Sequence, residues 1–175
     1  MKIRWFNTLP VIIFIALLLC LWLGLGRDTN LLPSALLEKP MPVFTLPDLN
    51  NQPLSEKQWQ GKVALVNIWA TWCLPCRTEH PILLKLAEQG VTIYGLNYKD
   101  DYQDALLWLN QRGNPYQSVA RDVGGLVAID WGVYGVPETF VIDKKGNIRY
   151  RLVGILTEEA WQKQLKPLMD TLQEE

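Results

Sequence analysis

Residues 72–76 read Trp-Cys-Leu-Pro-Cys, and they hold the clearest chemistry in the chain. Two cysteines three apart lie on one helical turn, so their sulfurs can bond without large strain. The preceding residues 62–69 (KVALVNIW) form a near-continuous apolar run of strand length, and helical sequence follows. That context gives a C-x-x-C pair redox meaning. Cys73 would stand at the helix N-terminus, where unpaired N–H groups and the dipole stabilise a thiolate, the reactive form of cysteine. Cys76, one turn deeper, should be less exposed. Cys73 is therefore the candidate nucleophile and Cys76 the resolving thiol. No cofactor is expected beyond the Cys73–Cys76 disulfide itself.

Other sulfur chemistries fit less well. A structural zinc site wants four ligands, and the chain has three cysteines and one histidine, with Cys20 inside an apolar run. No metal site is therefore expected. Haem attachment needs C-x-x-C-H, but Arg77 follows Cys76. A purely structural bridge across three positions would close too short a loop to stabilise much.

An α/β domain must position these thiols. Residues 91–98 (VTIYGLNY) read as a second buried strand, after a helix over residues 73–88 with Pro81 inside it. Residues 100–112 predict another helix, capped by Asp100 or Asp101 and ended by Gly113. Residues 116–120 suggest a short strand, and residues 123–134 a short helix. Residues 138–143 and 148–153 flank Lys-Lys-Gly-Asn as a hairpin. The last helix starts at Thr157 and buries Trp161, Leu165, Leu168 and Leu172, with Pro167 expected to kink it. Trp69, Trp108, Trp131 and Trp161 read as core or part-buried residues, and His80 as a helix-surface residue. Residues 43–46 predict an edge strand in a hairpin-like extension after a tether at residues 27–38, with prolines punctuating residues 27–60.

Composition narrows the class. The chain has 175 residues, net charge −1 and 49% hydrophobic residues, which argues against disorder. A pI near 5.9 lacks the basic footprint of a nucleic-acid binder. The apolar residues are unevenly placed. Residues 9–26 (LPVIIFIALLLCLWLGLG) carry no charge and would reach ~27 Å as a helix, close to the ~30 Å hydrocarbon core. The run is longer than a signal-peptide core, which favours an uncleaved transmembrane anchor. Lys2 and Arg4 precede it, placing residues 1–8 in the cytoplasm. Trp5 and Trp22 sit near its ends, as interfacial rings do. Residues 27–175 hold fifteen basic and eighteen acidic side chains, net −3.

Residues 69–76 (WATWCLPC) resemble the thioredoxin active-site segment, with Pro81 at the family's helix-kinking position and Val136-Pro137 at its loop proline. Residues 97–101, 113–116 and 132–143 (GVYGVPETFVID) narrow the likeness to the thiol:disulfide interchange proteins of bacterial cytochrome c biogenesis, the DsbE or CcmG type. The resemblance covers residues 39–175. It implies a thioredoxin-like mixed sheet flanked by helices, preceded by the transmembrane helix. It implies a cis Val136–Pro137 bond facing the disulfide, with Val136 backbone groups aligning the substrate. It also implies single-pass anchoring in the bacterial inner membrane, with the soluble domain in the periplasm. The implied substrates are the CxxCH disulfides of apocytochrome c, with haem-ligation machinery nearby and a transmembrane thiol:disulfide reductase as electron donor. A generic anchored reductase with other clients, or a non-catalytic subunit that holds apocytochrome, remain the other readings.

One departure concerns acid–base chemistry. Thioredoxin keeps a buried acid on the strand before the motif, and this chain has Asn67 there. Glu79 and Glu138 are the expected acidic surround of the disulfide, since a carboxylate raises a thiol pKa and can take a proton. Trp72 is expected to flank the exposed sulfur.

Overall fold

The computed structural model describes residues 9–25 and 36–175 and divides the chain into two units, 1–33 and 34–175. In the first unit, helix α1 spans Leu9–Leu25, 17 residues. Among the described residues, no helix is long and apolar enough to cross a membrane. Residues 1–8, expected in the cytoplasm, most of the tether and the side chain of Trp22 lie outside what is described.

The second unit is built on five strands: β3 (Ala64–Trp69), β4 (Ile93–Tyr98), β5 (Ser118–Asp122), β6 (Glu138–Ile142) and β7 (Ile148–Val153). Their order across the sheet is β5-β4-β3-β6-β7. β3, β4 and β5 run parallel, and β6 and β7 run antiparallel to their neighbours. β3 lies at the centre, so all six of its residues are buried. This is why its sequence reads as a continuous apolar run.

Side chains of β3 alternate between two cores. Leu65 and Trp69 pack with Leu83 and Leu86 of α2 (Leu74–Glu88) and with Trp108 of α3 (Tyr102–Arg112). Trp161, Leu165, Met169 and Leu172 of the C-terminal helix complete that face. Ala64, Val66 and Ile68 face Trp59, Trp131 and Phe140 in the second core. The hairpin β1 (Thr45–Pro47) and β2 (Pro53–Ser55) adds Leu54 there, and α4 (Leu126–Asp130) adds Val127 and Ala128. The extension expected before residue 60 is thus a true hairpin, set slightly later than residues 43–46.

One helix end settles an expectation left open between two residues, and another departs from expectation. Asp101 alone caps α3, accepting from Gln103 N at 2.7 Å and Asp104 N at 3.3 Å, while Asp100 is turned elsewhere. In the C-terminal helix, a π turn at Trp161–Leu165 joins α5 (Glu158–Ala160) to α6 (Lys166–Glu174). Pro167 cannot donate to a carbonyl one turn back, so the chain widens just before it and then resumes as α-helix.

Candidate active site

Cys73 takes an extended backbone and caps α2, and its Sγ accepts the Cys76 N–H at 3.1 Å. Pro75 fits the first turn, where its missing N–H costs no helical bond. Cys73 and Cys76 form a disulfide, with Cα atoms 5.3 Å apart. The expected difference in exposure is absent: Cys73 is 3% exposed and Cys76 2%. What separates them is surroundings. Cys73 Sγ lies 3.4 Å from the Val136 carbonyl, next to the cis Val136–Pro137 bond. Trp72 is exposed, with its indole N–H held by the Lys99 carbonyl at 3.0 Å. The Val136–Pro137 loop therefore meets the disulfide on Cys73's side.

The two acids do not form one cluster. In the β3–β6 register, Asn67 faces Thr139 and Ile68 faces Glu138. Neighbouring positions on a strand point to opposite faces, so Glu138 is on the side of the sheet away from Asn67. Glu79, on α2, reaches Asn67.

Glu79 is buried within a polar network. Its Oε1 accepts from Asn67 Nδ2 at 2.8 Å, and its Oε2 accepts from Leu156 N at 2.8 Å. Asn67 Nδ2 also donates to Thr139 Oγ1 at 3.1 Å, while Asn67 Oδ1 accepts from the Tyr116 hydroxyl at 2.9 Å. Burial pushes the Glu79 carboxyl up to about 7, against the lowering effect of the Leu156 and Asn67 hydrogen bonds. Burial, and then the Glu79 charge, push the Tyr116 phenol well above its ordinary value, so it stays a donor. Asn67 thus supports an acid displaced from the strand to the helix. The sequence signal for the network was a polar residue inside an apolar run, because a buried amide requires partners. Tyr116 carried no comparable signal.

This carboxyl makes stability depend on pH. An unfolded glutamate releases its proton near 4.5, whereas the folded chain keeps it to about 7. The folded state binds more protons within that window, so stability falls as pH rises through it. Glu79→Gln is expected to remove this slope, worth about 3 kcal/mol across the window. Denaturant unfolding of both chains at several pH values measures it, and parallel curves would rule Glu79 out as the source.

Glu138 is nearly fully buried and paired. Arg151 of β7 donates from Nε to Oε2 at 2.7 Å and from Nη2 to Oε1 at 2.9 Å. Arg151 Nη2 also reaches the Gly132 carbonyl at 2.8 Å, and Tyr134 N donates to Glu138 Oε1 at 3.0 Å. The guanidinium lies 4.6 Å from the Tyr134 ring centre. Glu138 is therefore a compensated charge that pins the loop leading to Pro137. Arg151 carried no sequence signal, since one arginine in an edge strand resembles any solvated residue.

His80 is buried, not on the surface. Its ring lies edge-on to Trp108 at 4.3 Å, and Nε2 is 3.1 Å from the Gly113 carbonyl. Burial pushes its pKa down, which favours the neutral ring. Trp69, Trp108, Trp131 and Trp161 are all buried, as expected.

The chain that carries this disulfide and cis-proline loop is similar to known proteins. Residues 37–165 fit the Redoxin family. The chain is 49% identical over 169 residues to the thiol:disulfide interchange protein DsbE of Pseudomonas aeruginosa, covering 95% of this chain and 94% of the relative. It is 44% identical over 175 residues to DsbE of Escherichia coli K12, covering 95% of each. A DsbE-type crystal structure from Chlorobium tepidum aligns with TM-score 0.65 at 26% identity, over 76% of this chain and 94% of that one. The match runs through the disulfide and the Pro137 loop alike, and the chain belongs to the DsbE-type thiol:disulfide interchange proteins of the thioredoxin superfamily, which are protein-disulfide oxidoreductases.

Proposed function

We propose that the chain is a membrane-anchored, periplasmic reductase of protein disulfides, serving the CxxCH cysteines of apocytochrome c. The observation that carries the catalytic part is Cys73 Sγ, which accepts a helix N–H and faces the Val136 carbonyl. In the dithiol form, the Cys73 thiolate attacks one sulfur of the substrate disulfide. A mixed disulfide forms, the substrate S–S bond breaks, and one substrate thiolate leaves and takes a proton. Cys76 then loses its proton and attacks Cys73 Sγ. The second substrate thiolate is released, leaving the Cys73–Cys76 disulfide. Two electrons pass to the substrate. Glu79 is buried on α2 three residues after Cys76, and with its carboxyl pushed up to about 7 it is suited to take the Cys76 proton. Val136 backbone groups beside Pro137 align the substrate strand.

Resetting the pair requires an external dithiol, which we assign to a transmembrane thiol:disulfide reductase. The uncharged run at residues 9–26 supports the anchor. Lys2 and Arg4 before it support a cytoplasmic N-terminus and a periplasmic domain. The client class rests on the likeness of residues 132–143 to the cytochrome-biogenesis proteins.

The test is stoichiometric reduction. The reduced full chain in membranes should transfer two electrons to an oxidised CxxCH peptide, faster than to a disulfide peptide of unrelated sequence. Equal rates would favour a generic reductase, and no transfer would favour a holding subunit. Release of the chain by carbonate washing would remove the anchor from the reading.

A further inference from the structure

The turn that delivers Cys73 leans on a loop outside the C-x-x-C helix. Asp100 follows β4 and would be an ordinary cap for α3, but Asp101 does that work. Both Asp100 oxygens point back toward the active-site turn. Oδ2 accepts from Thr71 N at 2.6 Å and from Asn97 Nδ2 at 2.9 Å. Oδ1 accepts from Thr71 Oγ1 at 2.6 Å and from Asp101 N at 3.1 Å. One carboxylate thus takes four hydrogen bonds, two of them from a residue two positions before Cys73.

The loop is itself held. Asn97 is buried in β4, and Lys99, at φ 46°, donates its N–H to the Asp122 carbonyl at 3.0 Å. A left-handed lysine is strained and persists only where its surroundings hold it. The Lys99 carbonyl in turn receives the Trp72 indole. Residues 97–101 therefore form a fixed post, and residues 71 and 72 are tied to it by two side chains and one backbone N–H.

We propose that Asp100 is a positioning residue for Cys73: it clamps the Thr71–Trp72 turn so that Cys73 Sγ stays over the first N–H groups of α2. This rests on the reading of Cys73 as the nucleophile. The sulfur's stabilisation comes from the Cys76 N–H and the helix N-terminus, both of which depend on the cap geometry. A charge effect and a positioning effect have opposite signs. A nearby carboxylate disfavours a thiolate, so losing its charge alone would lower the Cys73 pKa. Losing the clamp would raise it. The other charged groups at this turn are Arg77, bonded to the Thr71 carbonyl, Lys99, whose ammonium lies over the Tyr98 ring, and Asp104 of α3, which lines the same hollow as Thr71 and Trp72. All three are retained in every variant below.

The experiment follows Cys73 alkylation against pH in the reduced full chain, by mass spectrometry, with the disulfide potential measured in parallel. Asp100→Ala is expected to raise the alkylation midpoint by about half a pH unit and to make the potential more negative. Thr71→Val keeps the carboxylate and removes one tie, and it should shift both readouts the same way by less. Asp100→Asn, which keeps part of the acceptor set, should fall between wild type and Asp100→Ala. A midpoint lowered equally in Asp100→Ala and Asp100→Asn would overturn the clamp in favour of charge. Unchanged midpoints with only lost thermal stability would reduce Asp100 to a structural role and also overturn it. A wild-type Cys73 that resists alkylation at every pH would overturn the nucleophile reading, and the clamp with it.

Discussion

A Cys76→Ser chain is expected to stop at the mixed disulfide, with substrate held on Cys73 and turnover reduced on the order of a thousandfold or more. The substitution removes the sulfur that attacks Cys73 Sγ in the second step. The backbone N–H of residue 76, which donates to Cys73 Sγ, is kept. The first step therefore survives, because the nucleophile and its stabilising donor are unchanged. A serine hydroxyl is smaller than a thiol and is not oxidised, so it cannot complete the exchange. Mass spectrometry of the chain after exposure to an oxidised CxxCH peptide should find one adduct, on Cys73, that dithiothreitol removes. Cys73→Ser should give none. An adduct on Cys76 in the Cys73→Ser chain, with none in the Cys76→Ser chain, would reverse the two roles.

Arg151→Met should produce the largest loss of stability outside the hydrophobic cores. Arg151 and Glu138 side chains are 4% and 1% exposed and make a two-pronged ion pair. Methionine leaves the Glu138 carboxylate buried with only the Tyr134 N–H, and the Gly132 carbonyl without its guanidinium donor. Breaking such a pair from one side costs about 3–5 kcal/mol, mostly from the stranded charge. In a domain of this size that lowers the melting temperature by roughly 10 °C. Adding Glu138→Gln removes the stranded charge, so the double variant should be more stable than Arg151→Met alone. Denaturant unfolding of the four chains closes the cycle. A double variant that loses the sum of the two single losses would show that the two residues act independently. The same substitution should slow substrate reduction, because Arg151 and Glu138 hold residues 132–134 of the loop that presents Val136 and cis Pro137 to Cys73.

Local features of the chain were legible without coordinates. The C-x-x-C pair, the Asp101 and Thr157 caps, Gly113 as a helix end and the apolar strands all depend on residues within a turn or two of one another. Their chemistry follows from spacing. Boundaries were less legible, as in the strand at Ser118–Asp122, where a pattern shared with the preceding loop blurs the start. The kink expected at Pro167 proved to be a π turn one step earlier, because the helix adjusts before the proline rather than at it.

The acids show the limit. Both were found by proximity in sequence to Cys76 or Pro137, and both are buried. Their roles diverge because strand β3 sits between β4 and β6, in a register that sets Asn67 against Thr139 and Ile68 against Glu138. A shift of β6 by one residue would turn Glu138 to the Asn67 face. The sequence alone determined that this chain carries a helix-capping thiol pair on an α/β domain, since helix geometry and apolar periodicity are local properties. Only the tertiary structure decided that Glu79 belongs to Asn67 and Tyr116, that Glu138 belongs to Arg151, and that Asp100 belongs to Thr71. Those partners lie far apart along the chain and meet only when sheet order and strand register bring them together.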